Sequence, residues 1–347
     1  MDMPSLLAWR ACCRGHYLAA SKELHSMRYR LLAPFVPDTS IFSTLLTRFG
    51  VLIVGEAALS YIRRDLEAFP RNLELAAGNI TFLQFANCLR STLHSNSVLE
   101  SFTIIHPAPS FTALRHISAI ADARLLNGRR IIIYKSDTTA ACSIVAGMWT
   151  SVLANFVTSY TFGCAYPRLT FNLRGILSRP RLAALTSDDI SIWRLLESRE
   201  FRFGFSSTAL DISIARNTAT STSHPEDCQR SFHSCTHQGR FFGDRGSLVV
   251  LVDALSVSCL YLQMQCVAPF APMAAWRLPN IGNCTKDCLN KDKTLPSGVV
   301  TMLTRSLEPD RASYVRLPSH PTVATANDRL PFTLPPLRRG SRRYSVC

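Results

Sequence analysis

The sequence predicts an α/β (α+β) fold on a mixed sheet, led in by helices and followed by a basic tail without regular structure. Three observations predict it. The run "GVLIV", Gly50 to Val54, is short and apolar and lies between two glycines, the pattern of a strand buried on both faces. Helical periodicity follows at once in "EAALSYIRRDL", and a second strand-like run, "NLELA", comes next. Finally, "HISAIADARLLNGRRIIIYKS" holds two apolar runs around Asn127-Gly128, a pair suited to the positive φ angles of a type I′ hairpin turn. Strands are expected at about Leu114–Leu126 and Arg129–Ser136.

The remaining elements follow in chain order. Pro4 to Phe35 is helical in pattern, with Leu6, Leu7, Ala11, Leu18 and Leu24 on roughly one side. Pro34 and Pro37 stop it, and Asp38-Thr39-Ser40 offers an N-cap for a helix over Ile41–Arg48. Ile80 to Leu93 is amphipathic, and Ala140 to Leu153, without a charge, predicts a buried helix. Short helical or irregular pieces are expected over Arg168–Arg181, then a helix from Ser187 to about Ser198 capped by Ser187-Asp188-Asp189. The division expected is a helical N-terminal extension over 1–48, an α/β domain over 49–205, an extension over 206–276 and a disordered Pro/Arg-rich tail over 277–347. No internal repeat is visible.

Composition narrows the function classes. The chain has 347 residues and a formal charge of +14, yet only 18% of its residues are charged, below the roughly 25% of ordinary domains. From Arg277 onward there are 12 basic and 5 acidic side chains, so half of the excess sits in the tail and a clustered nucleic-acid footprint is not expected. A protein partner is expected instead. Two charge-poor stretches, Thr138–Pro167 and Ala254–Trp276, contain too many polar residues and prolines to span a membrane. Arg10 and Arg14 interrupt the first apolar segment before it resembles a signal peptide. Cys88, Cys142 and Cys164, set in apolar runs, read as free thiols, and an intracellular setting, cytoplasmic or nuclear, is expected.

The order of strand, glycine, helix and then a strand with spaced polar groups resembles the polymerase-β-like nucleotidyltransferase fold. In that fold a Gly-Ser pair opens the helix, and two carboxylates one residue apart on the next strand hold divalent metal. Residues i and i+2 of a strand point to one side, so both acids reach the same ions. More specifically, the chain resembles a large group of uncharacterised proteins from mushroom-forming (basidiomycete) fungi. The block "WTSVLANFVTSYTFGCAYPRLTFNLRG", Trp149 to Gly175, and "FFGDRGSL", Phe241 to Leu248, carry that likeness, which covers roughly residues 5 to 255.

Position by position, the implied site is degenerate. Gly55 matches the glycine, but Glu56 stands where the resemblance implies a phosphate-contacting serine. Asn72 replaces the first metal-binding aspartate and brings no charge. Glu74 keeps the second acid, and "RRIIIYKS" offers no third. The reading that follows is a non-catalytic nucleotidyltransferase-fold protein, a pseudoenzyme with a binding or interaction role and no cofactor. The alternatives are an active enzyme using Glu74 and Mg²⁺, and an F-box-like adaptor contacting a partner helix through Leu6 to Leu32. The adaptor reading rests on the faint likeness of "LLAWRACCRGHYLAASKEL" to the end of an F-box. Apart from these, Cys228, His233, Cys235 and His237, with His224 nearby, have the residue types of a zinc site but no standard spacing. No Rossmann, P-loop or nucleophile-elbow motif occurs.

Overall fold

The computed structural model describes residues 1–65, 70–108, 115–205, 240–242 and 244–252, together with the backbone of three strands, 272–276, 299–305 and 313–317. The N-terminal segment forms α1 (Met3–Arg10) and α2 (Arg14–Leu32), and α3 (Thr39–Phe49) follows the two prolines. Asp38 caps α3 as its sequence implies, accepting from the N–H groups of Ser40 and Ile41 at 2.8 and 2.9 Å.

Strand β1 (Leu52–Val54), helix α4 (Gly55–Arg63) and strand β2 (Asn72–Ala77) come next, then α5 (Phe82–Ser95). Strands β3 (Leu99–Ile105), β4 (Ile117–Leu125) and β5 (Arg130–Ser136) continue the sheet. After α6 (Cys142–Ala146) come β6 (Asn155–Val157), β7 (Thr161–Cys164), α7 (Pro167–Phe171), β8 (Arg174–Ile176), α8 (Arg179–Leu182), α9 (Ser187–Ser198) and β9 (Arg202–Gly204). Strand β11 (Leu248–Leu251) closes an eight-stranded mixed sheet of order β11-β7-β6-β1-β2-β5-β4-β3, in which only the β2–β5 pair is parallel. The mixed α/β fold is thus as expected.

Alternation along the strands gives this sheet two different faces. Ile53, Leu73, Leu75, Ile131, Ile133, Ala119, Ala121 and Ala123 point to one face and share a core with α1, α2, α3 and α5. Val54, Ala76 and Ile117 point to the other, against Ile144, Val145, Trp149 and Leu196. Leu6, Leu24, Leu31 and Leu32 lie in the first core, so the leucines that an adaptor would offer a partner are packed within this chain, whereas Leu18 stays exposed.

Four details differ from expectation. The hairpin is not type I′: Asn127 keeps a negative φ, and Gly128, at φ 77°, donates to the Leu125 carbonyl at 2.9 Å. That is a type I turn closed by a glycine bulge, and Asn127 Oδ1 accepts from Arg129 N–H. The segment Ala140–Leu153 is not one helix but α6 and a 3₁₀ turn, Ser151–Leu153. Gly147 ends α6 beside Arg115, where an added Cβ would lie 2.6 Å from the Arg115 carbonyl oxygen. Strand β3 was not expected, because most of its residues are exposed and its alternation is weak. Lastly, the segment read as a disordered tail contributes β13 (Val299–Arg305) and β14 (Ser313–Leu317) to a four-stranded sheet with β10 (Arg240–Phe241) and β12 (Pro272–Trp276). The rest of that segment lies outside the described residues.

Ile53 is fully buried at the centre of β1. Replacing it with aspartate places a carboxylate without a partner in the first core, a cost upwards of about 4 kcal/mol. The Ile53→Asp protein should be insoluble or lack a cooperative thermal transition; an unchanged melt would refute the central position of β1.

Candidate functional site

The chain turns from β1 into α4 at Gly55, which adopts a left-handed φ of 64°. A Cβ there would lie 1.7 Å from Glu74 Oε2, so the Glu74 carboxylate fills the space a side chain would take. Glu74 reaches this point because it pairs with Val54 across the β1–β2 ladder. The residue preceding α4, Val54, supplies no side-chain cap. Glu74 takes that role from the neighbouring strand: Glu56 N–H donates to Oε2 at 3.2 Å. The positive end of the helix dipole favours a carboxylate at this place. From β5, the Tyr134 hydroxyl donates to Glu74 Oε1 at 2.7 Å.

Burial pushes the Glu74 pKa up to about 7, against the Tyr134 and Glu56 hydrogen bonds, and the nearby Asp189 charge pushes it the same way. Tyr134 is raised well above its ordinary value, first by burial and then by Glu74. Glu56 is 6% exposed and is raised by burial, while Arg199, 3.6 Å away, opposes the rise.

Asp189 anchors the surroundings. It accepts from Arg115 at 3.1 and 3.3 Å, from Trp149 Nε1 at 3.0 Å, and from the Thr186 N–H and hydroxyl at 2.9 Å each. Burial alone would raise its pKa, but Arg115 and the Thr186 bonds outweigh it and the carboxylate is held below the usual range.

Of the positions singled out in the sequence, Gly55, the Glu56 N–H and the Glu74 carboxyl group meet at one point, while the Glu56 side chain is paired with Arg199. Asn72 lies on the same face of β2, half-buried at its first residue, and makes no side-chain hydrogen bond among the described residues. Cys228, His233, Cys235 and His237 lie outside the described residues. Two acids had no signal as site residues. Asp189 reads locally as a helix cap. Asp122 shares a cross-strand row with Ile132 and Glu74, which only the register reveals, and Arg130 holds it at 2.8 and 3.2 Å.

The donor set fits a divalent cation poorly. Both Glu74 oxygens are engaged by hydrogen-bond donors, the group is half-protonated near neutral pH, and Asn72 is uncharged. Among the described residues no three His, Cys, Asp or Glu side chains converge on a common point, and no helix is long and apolar enough to cross a membrane.

No family model matches the chain, and no curated protein matches it. A CCA-adding enzyme from Thermotoga maritima, solved with tRNA, is a weak structural neighbour at 16% identity and a TM-score of 0.31. The match covers 53% of this chain and 43% of that one.

Two outcomes follow from the Gly55–Glu74 contact. Gly55→Ala must relieve both a left-handed backbone and the collision with Glu74, a destabilisation of about 2–4 kcal/mol measurable as a fall in the urea midpoint; an unchanged midpoint would show that Glu74 does not fill the notch.

The second concerns pH. The folded chain holds the Glu74 proton up to about pH 7, whereas the unfolded chain releases it near 4.5. Stability therefore falls as pH rises through this window and levels off above it, by about 3 kcal/mol. In Glu74→Gln this fall should be missing when urea midpoints are compared from pH 4.5 to 8. Parallel profiles for the two proteins would mean that Glu74 is an ordinary, solvated acid.

Proposed function

We propose that this chain is a non-catalytic protein on a nucleotidyltransferase-type scaffold, with a binding or interaction role. The observation that carries this reading is the Glu74 carboxylate seated over Gly55 at the α4 N-terminus. The resemblance implies that a phosphate is received at the start of this helix. Here a carboxyl group of the chain itself takes the N–H donor and occupies the space at the helix start, while the buried Glu56 side chain is paired with Arg199, 3.6 Å away. A triphosphate at this point would have to displace the Glu74 carboxyl group and, above about pH 7, would meet its charge.

The motif block behind the resemblance to the fungal group supports a scaffold role for those residues. Trp149 is fully buried and donates to Asp189, while Tyr166 lies under the Arg240 guanidinium at 4.7 Å. Arg240 is in turn held by Asp244 of the "FFGDRGSL" element at 2.6 and 3.0 Å. Membership of that group is part of this proposal, as are an intracellular setting and a protein partner rather than a nucleic acid.

Isothermal titration with ATP, CTP, GTP or UTP should show no Mg²⁺-dependent binding by the unaltered protein. Asn72→Asp should gain weak divalent-ion binding, and adding Glu56→Ser should then permit weak Mg-nucleotide binding, because the parts act as a network. Micromolar Mg-ATP binding by the unaltered protein, lost on Glu74→Ala, would overturn the proposal in favour of an active nucleotidyltransferase.

A further inference from the structure

A cleft of about 520 Å³ opens between α2, α3 and the turn joining β6 to β7. It shares no residue with the Glu74 cluster. From α2 it is lined by Lys22, His25 and Arg28, which recur every three residues and so lie along one stripe of the helix. From α3 come Ser40 and Ser43, and from the turn comes Ser159. Eight of the twelve lining residues carry a hydroxyl and none is an acid, so the walls offer donors and positive charge with no competing carboxylate.

Arg28 is the informative member. Its guanidinium donates to the Ser159 carbonyl and, at 3.5 Å, to the Thr158 carbonyl, and it faces His25 Nδ1 at 3.1 Å. Burial pushes its pKa down. Among the described residues no carboxylate pairs with it. The two acids that flank these stretches in the chain are otherwise engaged: Glu23 with Arg30 at 3.3 Å and Arg64 at 2.7 Å, and Asp38 with the first N–H groups of α3. A half-buried cation held only by neutral oxygens and a histidine is a costly arrangement that an anion would relieve. The volume suits a small metabolite, and among aliphatic side chains only Leu32 contributes to the lining, which disfavours an apolar guest.

We propose that this cleft binds a small phosphate-bearing anion, whose oxygens are received by Arg28, Lys22 and the surrounding hydroxyls. The test is isothermal titration of the full chain with pyrophosphate and with inorganic phosphate, at constant ionic strength set with chloride. Lys22 is exposed, so Lys22→Glu should fold normally and weaken pyrophosphate binding at least tenfold. Arg28→Lys keeps the charge but loses the planar fork, and should weaken binding severalfold. Arg124→Glu, the same charge reversal at an exposed site of β4 outside the cleft, should leave binding unchanged. No saturable binding of either probe would overturn the proposal. Equal losses in Lys22→Glu and Arg124→Glu would also overturn it, by showing a diffuse charge effect.

Discussion

The second face of the sheet depends on Asp189. One carboxylate collects five donated hydrogen bonds from three separate places: Arg115 before β4, Trp149 after α6, and Thr186 at the start of its own helix. The segment from Thr138 to Arg174 is built of elements no longer than five residues joined by turns. Trp149 fixes it, because its ring stacks on Trp193 at 5.5 Å while its N–H is claimed by Asp189. Removing one partner would leave a buried charge uncompensated, which is where such networks are costly to break.

The two faces of the sheet therefore do different work. The face against α1, α2, α3 and α5 is almost wholly aliphatic and aromatic and supplies cohesion. The other face mixes apolar packing with Glu74, Asp189, Arg115 and Arg181, all buried. Arg181 shows the strain of that environment: its guanidinium donates to the Met148 carbonyl at 3.0 Å, and burial pushes its pKa down to about 10. The polar groups concentrated on this face each hold a neighbour in place: Glu74 meets Tyr134, Asp189 meets Arg115 and Trp149, and Arg181 meets the Met148 carbonyl.

Much of the first half was legible in the sequence because local rules and tertiary packing agree there. Short apolar runs bounded by glycines or by the Asn-Gly pair marked β1, β2, β4 and β5, and Asp38 marked the start of α3. The hairpin was placed correctly, but its turn type depends on the φ of Asn127, which the Asn-Gly pair does not determine. The split of Ala140–Leu153 was hidden because a charge-free run looks alike whether it is one buried helix or several short pieces. At the candidate site, Gly55, Glu56 and Glu74 were visible as a group only through the resemblance to the nucleotidyltransferase motif, which sets a glycine at the helix start and an acid on the next strand. Tyr134 was not, because its hydroxyl meets Glu74 only through the parallel register of β2 and β5, a contact between residues 60 apart.

Strand β3 ends the sheet, and among the described residues its outer edge has no neighbour. Its start is blunted by a bulge between Leu99 and Ser101 and by the charge of Glu100. Its far end, Thr103 to Ile105, has neither protection, and Ile104 and Ile105 are 40% and 53% exposed. Two molecules brought together at high concentration would find here a ready template for joining their ladders. Among the described residues, the main-chain donors and acceptors of these three residues on that margin are met by no strand.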